Sequence, residues 1–410
     1  MSQKHVVLLC QTFYPDMQST SQLYTELFKE LARIPRVKIT VICGFPAGLV
    51  DSATVKRKDK LGDIDIRRCG FRVDIKRNML SRAISYFSFA LHAAWVLFWL
   101  RGKDVVVGCT SPPIGAIMLM FTSLIGRFKY LYVIQDVYPE GLFATGLLKR
   151  TALSARLWLF LNKLSYRRAD RLIVLGRDMT TLLQKDYGIS SEKVTYIPHW
   201  SIMEPTQPIS FKENPLAKEL KLLDKFVIQY SGNMGLWHDI EIFLHAAAVL
   251  QDEPKIHFLF IGGGRRRCDA EELSKKLALK NLTWMDFVPQ ERLPESLTCC
   301  HVALISLREG LEGIAVPSKL YGILASGRAI IAQTPVTSEI TLTINEERCG
   351  ICVPNGDVDA LVVAIRRLFA DQSLVSEMST RAFSAYKNKY TLRHGKAAFS
   401  QLCQLEEPAK

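Results

Sequence analysis

The sequence predicts an α/β protein built from two parallel-sheet units. Short, nearly continuous apolar runs alternate with amphipathic stretches, and the alternation recurs in both halves of the chain. Runs that are apolar on both faces belong to parallel strands covered by helices on each side, not to half-exposed antiparallel ribbons. A chain of 410 residues is long enough for two such cores.

In the first half, strands are expected at 6–10, 38–43, 104–108, 130–135, 171–175 and 194–197. In the second half they are expected at 226–230, 256–261, 283–288, 301–305, 329–332 and 349–353. Between them, 241–250, 270–278 and 359–369 carry apolar residues at helical spacing, the last opening on Asp359, a residue type suited to capping. Residues 201–225 are rich in Pro, Lys and Glu without a clear period, which reads as a linker. Residues 373–405 read as helical. The expected organisation is a first domain over 1–205, a second over 206–385, and a terminal helix over 386–410 that crosses back to the first.

Hydrophobic residues at 48% and charged residues at 23% exclude a disordered chain. The balance of 53 Lys+Arg over 40 Asp+Glu, +13, suits phosphorylated substrates, an anionic membrane surface or nucleic acid. Nucleic acid is not the expected partner, because the basic residues are spread over both halves and gather on no recognition helix or aromatic platform. Cys10, Cys43 and Cys109 lie in apolar strand runs and read as buried thiols. Cys349 and Cys352 have metal or redox spacing, yet no second pair or nearby His completes a zinc set, so no metal is expected. The residues from Met1 to His5 run straight into the first strand and leave no room for a signal peptide, which predicts a cytoplasmic, reducing compartment.

One segment bears on membranes. Residues 84–100 are apolar apart from Ser85, Ser88 and His92, and are flanked by Arg82 and Arg101. The stretch falls short of the ~20 residues that span a bilayer, and a span would put strands of one sheet on opposite sides of it. A buried helix and a helix lying in the interface both fit. Lys56, Arg57, Lys58, Arg67, Arg68, Arg72, Lys76 and Arg77 precede it, which suits the anionic surface of an inner membrane and equally suits a solvated face.

The most informative stretch is 312–327. Glu312, Gly313, Ser318 and Lys319 lead into a small-residue helix that stops at Gly327, just before the strand at 329–332. A carboxylate, a hydroxyl and an ammonium thereby gather near a helix N-terminus, where free N–H groups favour an anion. A diphosphate carrying a sugar is such an anion. Gly262, Gly263, Gly264 and Arg265 follow one strand, while Ser231, Gly232, Asn233, Met234 and Gly235 follow another. Glycines there let a ligand approach the backbone at the carboxyl edge of the sheet. In the first half, 13–22 and 135–140 also end strands. Gln135 and Asp136 are polar candidates for the crevice, and Asp136 would serve equally as a helix cap.

With Phe13-Tyr14-Pro15-Asp16, Gln135-Asp136-Val137-Tyr138-Pro139-Glu140, Phe260-Ile261-Gly262-Gly263-Gly264, Asp286-Phe287-Val288-Pro289 and Val316-Pro317-Ser318-Lys319-Leu320-Tyr321-Gly322 in view, the chain resembles the family 4 glycosyltransferases of the GT-B fold. The form of the last motif is similar to a branch that builds bacterial surface polysaccharides, including colanic-acid and O-antigen enzymes. The resemblance implies two facing Rossmann-like domains with the active site in the interdomain cleft. It implies a nucleotide-sugar donor, UDP- or GDP-linked, held mainly by the second domain, with retention of anomeric configuration and neither cofactor nor metal. It places Glu312 at sugar hydroxyls, Gly263, Gly264 and the backbone near Val288 under the nucleotide, and Asp136 or Gln135 towards the sugar or acceptor. Where the family has a ribose-binding glutamate this chain has Gly322, and where it has the Arg and Lys that grip the diphosphate it has Asn233 and His238. Lys319 with Ser318 is the expected replacement, and Arg265 the second. The acceptor is expected to be a saccharide or a polyprenyl-diphosphate-linked saccharide. Two other readings stay open: a catalytically inactive glycosyltransferase-like partner subunit, which those departures favour, and a GT-B sugar-nucleotide epimerase.

Overall fold

The computed structural model describes residues 3–16, 18–46, 55–72 and 79–405. Met17, Lys76, Arg77 and the side chain of Arg82, all drawn on above, lie outside the described residues. The chain divides into two units, Met1–Pro198 with Leu392–Lys410, and His199–Thr391.

The first unit is built on β1 (Lys4–Leu9), β2 (Val37–Cys43), β3 (Lys58–Leu61), β4 (Ile64–Arg68), β5 (Val105–Cys109), β6 (Tyr130–Ile134), β7 (Arg171–Val174) and β8 (Val194–Tyr196), in the order β3-β4-β2-β1-β5-β6-β7-β8. All neighbours are parallel except β3 and β4. That hairpin was not anticipated. The only apolar residues of β4 are Ile64 and Ile66, and β3 is a charged edge with nothing apolar to announce it but Leu61. Arg68, counted above among solvated basic residues, is in fact buried. Its two terminal nitrogens bond to Asp59 at 3.0 Å and to the carbonyls of Lys56 at 3.0 Å and Tyr14 at 2.9 Å, because a buried charge is costly unless it is paired and hydrogen-bonded.

The helices of this unit are α1 (Ser19–Ala32), α2 (Met79–Trp99), α3 (Gly115–Gly126), α4 (Glu140–Ala144), α5 (Leu153–Arg168) and α6 (Arg177–Tyr187). α2 packs on α3 and α3 on α5, so the three share one face of the sheet. α2 buries Phe89, Ala93 and Leu97, a stripe at helical spacing. Among the described residues, no helix is long and apolar enough to cross a membrane.

The second unit is wholly parallel: β9 (Phe226–Ser231), β10 (Ile256–Ile261), β11 (Leu282–Met285), β12 (Val302–Ser306), β13 (Ala329–Gln333) and β14 (Gly350–Val353), ordered β11-β10-β9-β12-β13-β14. Its helices are α7 (Pro215–Glu219), α8 (Glu241–Val249), α9 (Arg267–Lys276), α10 (Leu293–Leu297), α11 (Lys319–Ala325), α12 (Glu339–Glu347), α13 (Val358–Ala370) and α14 (Gln372–Lys389). α15 (Leu392–Cys403) returns to the first unit and packs on α1, Phe399 meeting Tyr24 edge-on at 6.2 Å.

Three expectations need correction here. Residues 201–225 are no free linker. Asn214 is buried, caps α7 by accepting the Ala217 N–H at 2.9 Å, and donates to the Glu295 carbonyl at 2.8 Å and to Thr298 Oγ1 at 2.9 Å. Polar composition concealed a short helix fastened to the second unit. The cap of α13 is Asp357, which accepts the Ala360 N–H at 2.8 Å, and Asp359 lies in the first turn. The strand expected at 283–288 ends at Met285, freeing 286–288 as a loop. Burial pushes the thiol of Cys349, just before β14, up to about 12 and that of Cys352, within it, to about 11, which leaves both inert.

Candidate active site

In the second sheet, chain order reverses between β9 and β12: β10 and β11 lie on one side and β13 and β14 on the other. Loops leaving the carboxyl ends of strands at such a switch point open a crevice. The loop after β9 carries Gly232 to His238, and the loop after β12 leads through Glu312 to Lys319.

Glycine is required at two points here. Gly262 has φ of 130°, and a Cβ on it would lie 2.2 Å from the Gly232 carbonyl oxygen. Gly264 has φ of 139°, and its Cβ would lie 2.6 Å from both Asn233 Oδ1 and the Met234 carbonyl oxygen. The two glycine turns are therefore pressed together. The Gly232 N–H donates to Ile261 at 2.9 Å and the Met234 N–H to Gly263 at 2.7 Å. The N–H groups of Asn233 and Gly235 have no acceptor among the described residues, which leaves them free for a ligand.

Lys319 lies directly against Gly232. A Cβ on Gly232 would be 3.5 Å from both Lys319 Cε and Nζ. The amine donates to Tyr230 Oη at 2.5 Å and stands 3.8 Å from the centre of that ring, and Tyr230 Oη in turn donates to the Asn233 carbonyl at 2.9 Å. Loss of water pushes Lys319 down to about 7. No carboxylate pairs with it in any ion pair among the described residues. A half-buried, desolvated amine without a counter-anion is a cation site waiting for an anion. α11, which Lys319 opens, has seven residues, so the amine rather than a helix dipole is the main source of positive potential.

His238 does not replace the missing lysine. It is buried, its Nδ1–H donates to the Ser306 carbonyl at 2.5 Å, and burial with the neighbouring Lys319 pushes it down to about 3. A neutral ring results, with Nε2 left as an acceptor. Asn233 is exposed, with its amide over Gly264. Ser231 closes β9 half-buried, and Ser318 stands half-buried before Lys319.

Glu312 is half-buried, and its Oε2 is enclosed without a hydrogen-bond partner. A carboxylate oxygen in that state is short of a donor, and a sugar hydroxyl would be one. It lies within a turn closed by the Ile314 N–H donating to the Leu311 carbonyl, with Gly313 at φ of 73°. Gly322, where the family resemblance leads one to expect the ribose-binding glutamate, has Leu297 Cδ1 at 3.3 Å from a built Cβ; it packs against α10 and presents no polar group.

Of the three consecutive arginines, Arg266 pairs with Glu241 and Arg267 with Glu271 at 2.8 Å and with Asp286. Arg265 is exposed and has no side-chain partner among the described residues. Val288 is half-buried in the loop after β11. Its neighbour Phe287 is 62% exposed, with ring carbons 3.2 and 3.3 Å from the Cβ positions of Gly262 and Gly263.

Sequence reasoning missed Tyr230 and Phe287. Tyr230 was hidden as one more apolar residue of a buried strand, although its hydroxyl was the available signal. Phe287 was read as strand, although the Pro289 that follows marks a loop.

In the first unit, order reverses between β1 and β5. Asp136 stands half-buried just beyond β6, and burial pushes it up to about 6. Gln135 is buried next to Tyr24, its N–H donating to Thr110 Oγ1 at 2.9 Å, so Asp136 is the more accessible of the two. Glu140 is internal, accepting from Tyr187 Oη at 2.6 Å.

Comparison with known proteins identifies the family. Residues 22–200 match the glycosyl transferase 4-like domain and residues 225–371 the glycosyl transferases group 1 model. The chain is 31% identical over 288 residues to "Probable glycosyltransferase WbjE" of Pseudomonas aeruginosa, covering 69% of this chain and 71% of that one. It is 26% identical over 318 residues to "Putative colanic acid biosynthesis glycosyl transferase WcaI" of Escherichia coli (strain K12), covering 76% and 77%. Anabaena HepE, solved in complex with UDP, shares the fold with a TM-score of 0.70 at 12% identity, covering 98% and 100%. Two Rossmann-like units, two matching family models and a relative of this similarity place the chain in the family 4 glycosyltransferases of the GT-B fold.

Proposed function

We propose that this glycosyltransferase moves a sugar, with retention of anomeric configuration, from a nucleoside-diphosphate sugar to a saccharide or polyprenyl-diphosphate-linked saccharide of a bacterial surface polysaccharide. UDP is the first choice of carrier and GDP the second. The observation that carries the reading is the unpaired amine of Lys319 against the Gly232 backbone.

As the bond from the anomeric carbon to the phosphate oxygen lengthens, negative charge grows on the departing diphosphate. Lys319, protonated when that anion arrives, neutralises it, and the free N–H groups of Asn233 and Gly235 add aligned dipoles. Charge stabilisation that is already in place before the reaction needs no reorganisation. Glu312 Oε2 accepts a donor-sugar hydroxyl. Gly263, Gly264 and the backbone near Val288 carry the nucleotide, with Arg265 at its rim. The leaving phosphate oxygen takes the acceptor's proton on the face it vacates, which is how the stereochemistry is kept. No metal is required in this scheme, since Lys319 supplies the charge.

Support for the donor comes from the neighbouring fold solved with UDP, and support for the acceptor class from the colanic-acid assignment of one relative. A second reading, a partner subunit without activity, is favoured by Gly322, Asn233 and neutral His238. Thermal unfolding against UDP, GDP and dTDP in the presence of EDTA separates the two. The proposal expects UDP or GDP at 100 times its dissociation constant to stabilise the protein by about 2.7 kcal/mol. Absence of a shift with all three favours the inactive subunit, and a shift that EDTA abolishes contradicts the metal-free scheme.

A further inference from the structure

Helices that cover one face of a sheet normally turn an apolar stripe inward and a polar one outward. α2, α3 and α5 do not. α2 already buries Phe89, Ala93 and Leu97, yet its opposite side shows Leu91 at 75% and Trp95 at 63% exposure. On α3, Leu124 and Ile125 are exposed, and on α5, Leu157 and Phe160 are exposed in the same way. α2 and α3 are therefore apolar on both sides, while α5 turns Ala155, Asn162, Ser165 and Tyr166 inward and Leu157 and Phe160 outward. Because α3 packs against α2 and against α5, the three outward stripes form one continuous face. Soluble surfaces seldom carry so extended an apolar patch without a partner.

Charge says what the partner is. None of the three helices contains an acidic residue. Each runs directly into a parallel strand, so their C-terminal ends share one edge of the sheet, where β5, β6 and β7 begin. That edge carries exposed Arg101 after α2, Arg127 and Lys129 after α3, and Arg167 and Arg168 at the end of α5. The two carboxylates nearby are engaged: Asp104 accepts the His5 N–H at 2.7 Å and Asp170 the Tyr130 N–H at 2.8 Å. An apolar face bounded by unopposed cations is complementary to a bilayer with anionic headgroups. The apolar side chains enter the acyl boundary while the arginines remain among the phosphates. A protein partner would more usually meet a polar rim of mixed sign.

We infer that α2, α3 and α5 together form a docking face for an anionic lipid bilayer, on which the first unit lies without spanning it. The inference concerns a surface of the first unit and does not depend on the donor chemistry of the second. It extends the interfacial reading of residues 84–100 to three helices and assigns the depth markers, Trp95 and Trp99.

The test is flotation of the full chain with vesicles rich in phosphatidylglycerol, beside pure phosphatidylcholine vesicles, at low salt. The wild-type chain is expected to float with the anionic vesicles, its tryptophan emission moving to the blue and being quenched by lipids brominated in the acyl chain. Combining Leu91→Glu, Trp95→Glu and Leu157→Glu is expected to weaken vesicle binding ~100-fold or more while the nucleotide-induced thermal shift is unchanged. If the triple variant does not fold, bromolipid quenching of the wild-type chain decides. The inference is overturned if the wild-type chain stays unbound with unquenched emission, or if the folded triple variant floats as well as wild type. It is equally overturned if the wild-type chain remains unbound as a dimer that the triple variant dissolves, which would assign the face to a second copy. A thermal shift with UDP alongside absent flotation would sink this inference and leave the proposed chemistry standing.

Discussion

Lys319→Ala lowers turnover by ~100-fold or more, the usual consequence of removing one preorganised charge stabiliser from a transition state. Stability should not fall with it. The amine is held well below its ordinary value by loss of water, so its removal relieves a desolvated group rather than breaking an ion pair. The combination is diagnostic: a large loss in turnover, assayed with a UDP-sugar, together with an unchanged or slightly higher melting temperature. Had Lys319 been structural, the two would fall in parallel. Tyr230→Phe should act in the same direction but less strongly, since it removes the hydroxyl that holds the amine at 2.5 Å and leaves the charge.

Gly262→Ala is the largest expected effect on stability. The added methyl would stand 2.2 Å from the Gly232 carbonyl oxygen, on a residue whose φ of 130° is open to glycine. Backbone strain of about 1–3 kcal/mol and overpacking of similar size add to ~2–6 kcal/mol. The loop after β10 can relieve this only by parting from the loop after β9, which moves Gly232 away from Lys319. Loss of the nucleotide-induced thermal shift is therefore expected even in the fraction that folds. Gly310→Ala is the control. It also has positive φ, 80°, yet nothing lies within 4 Å of its Cβ position, so the cost is about 1–2 kcal/mol and nucleotide binding persists. Chemical denaturation of the two variants side by side checks both magnitudes.

The strands whose residues are apolar on both faces were legible from composition alone, because a buried parallel strand leaves no other pattern. β1, β9 and β10 fall where the apolar runs fall. What escaped was the structure carried by polar residues. The hairpin β3–β4 is a charged edge, and α7 depends on Asn214, whose partners at Glu295 and Thr298 are remote in the chain. Apolar periodicity has no access to such contacts.

The site shows the same division. Glycines after strands and the lysine at 319 were visible as residue types in suggestive places. The unpaired state of the amine, its contact with Tyr230 and the neutrality of His238 depend on burial, which composition does not encode. Likewise, residues 84–100 were plainly apolar, but only the packing of α2 against α3 and α5 extends the outward stripe into a face. The missing ribose glutamate was legible directly, and the structure adds that Gly322 packs against Leu297 without offering a substitute.

Proton uptake on nucleotide binding tests the role of Lys319 most directly. With the amine near 7 in the free protein, it is mostly neutral at pH 8, and a bound diphosphate should return it towards its ordinary value of ~10.4, taking up roughly one proton. Calorimetric titration with UDP at pH 8, in buffers of different ionisation enthalpy, should report close to one proton absorbed per UDP for the wild-type chain. Lys319→Arg, charged at all accessible pH, should bind UDP with no such uptake. Equal uptake by the two proteins, or none by the wild type, would contradict the assignment of this amine to the departing diphosphate.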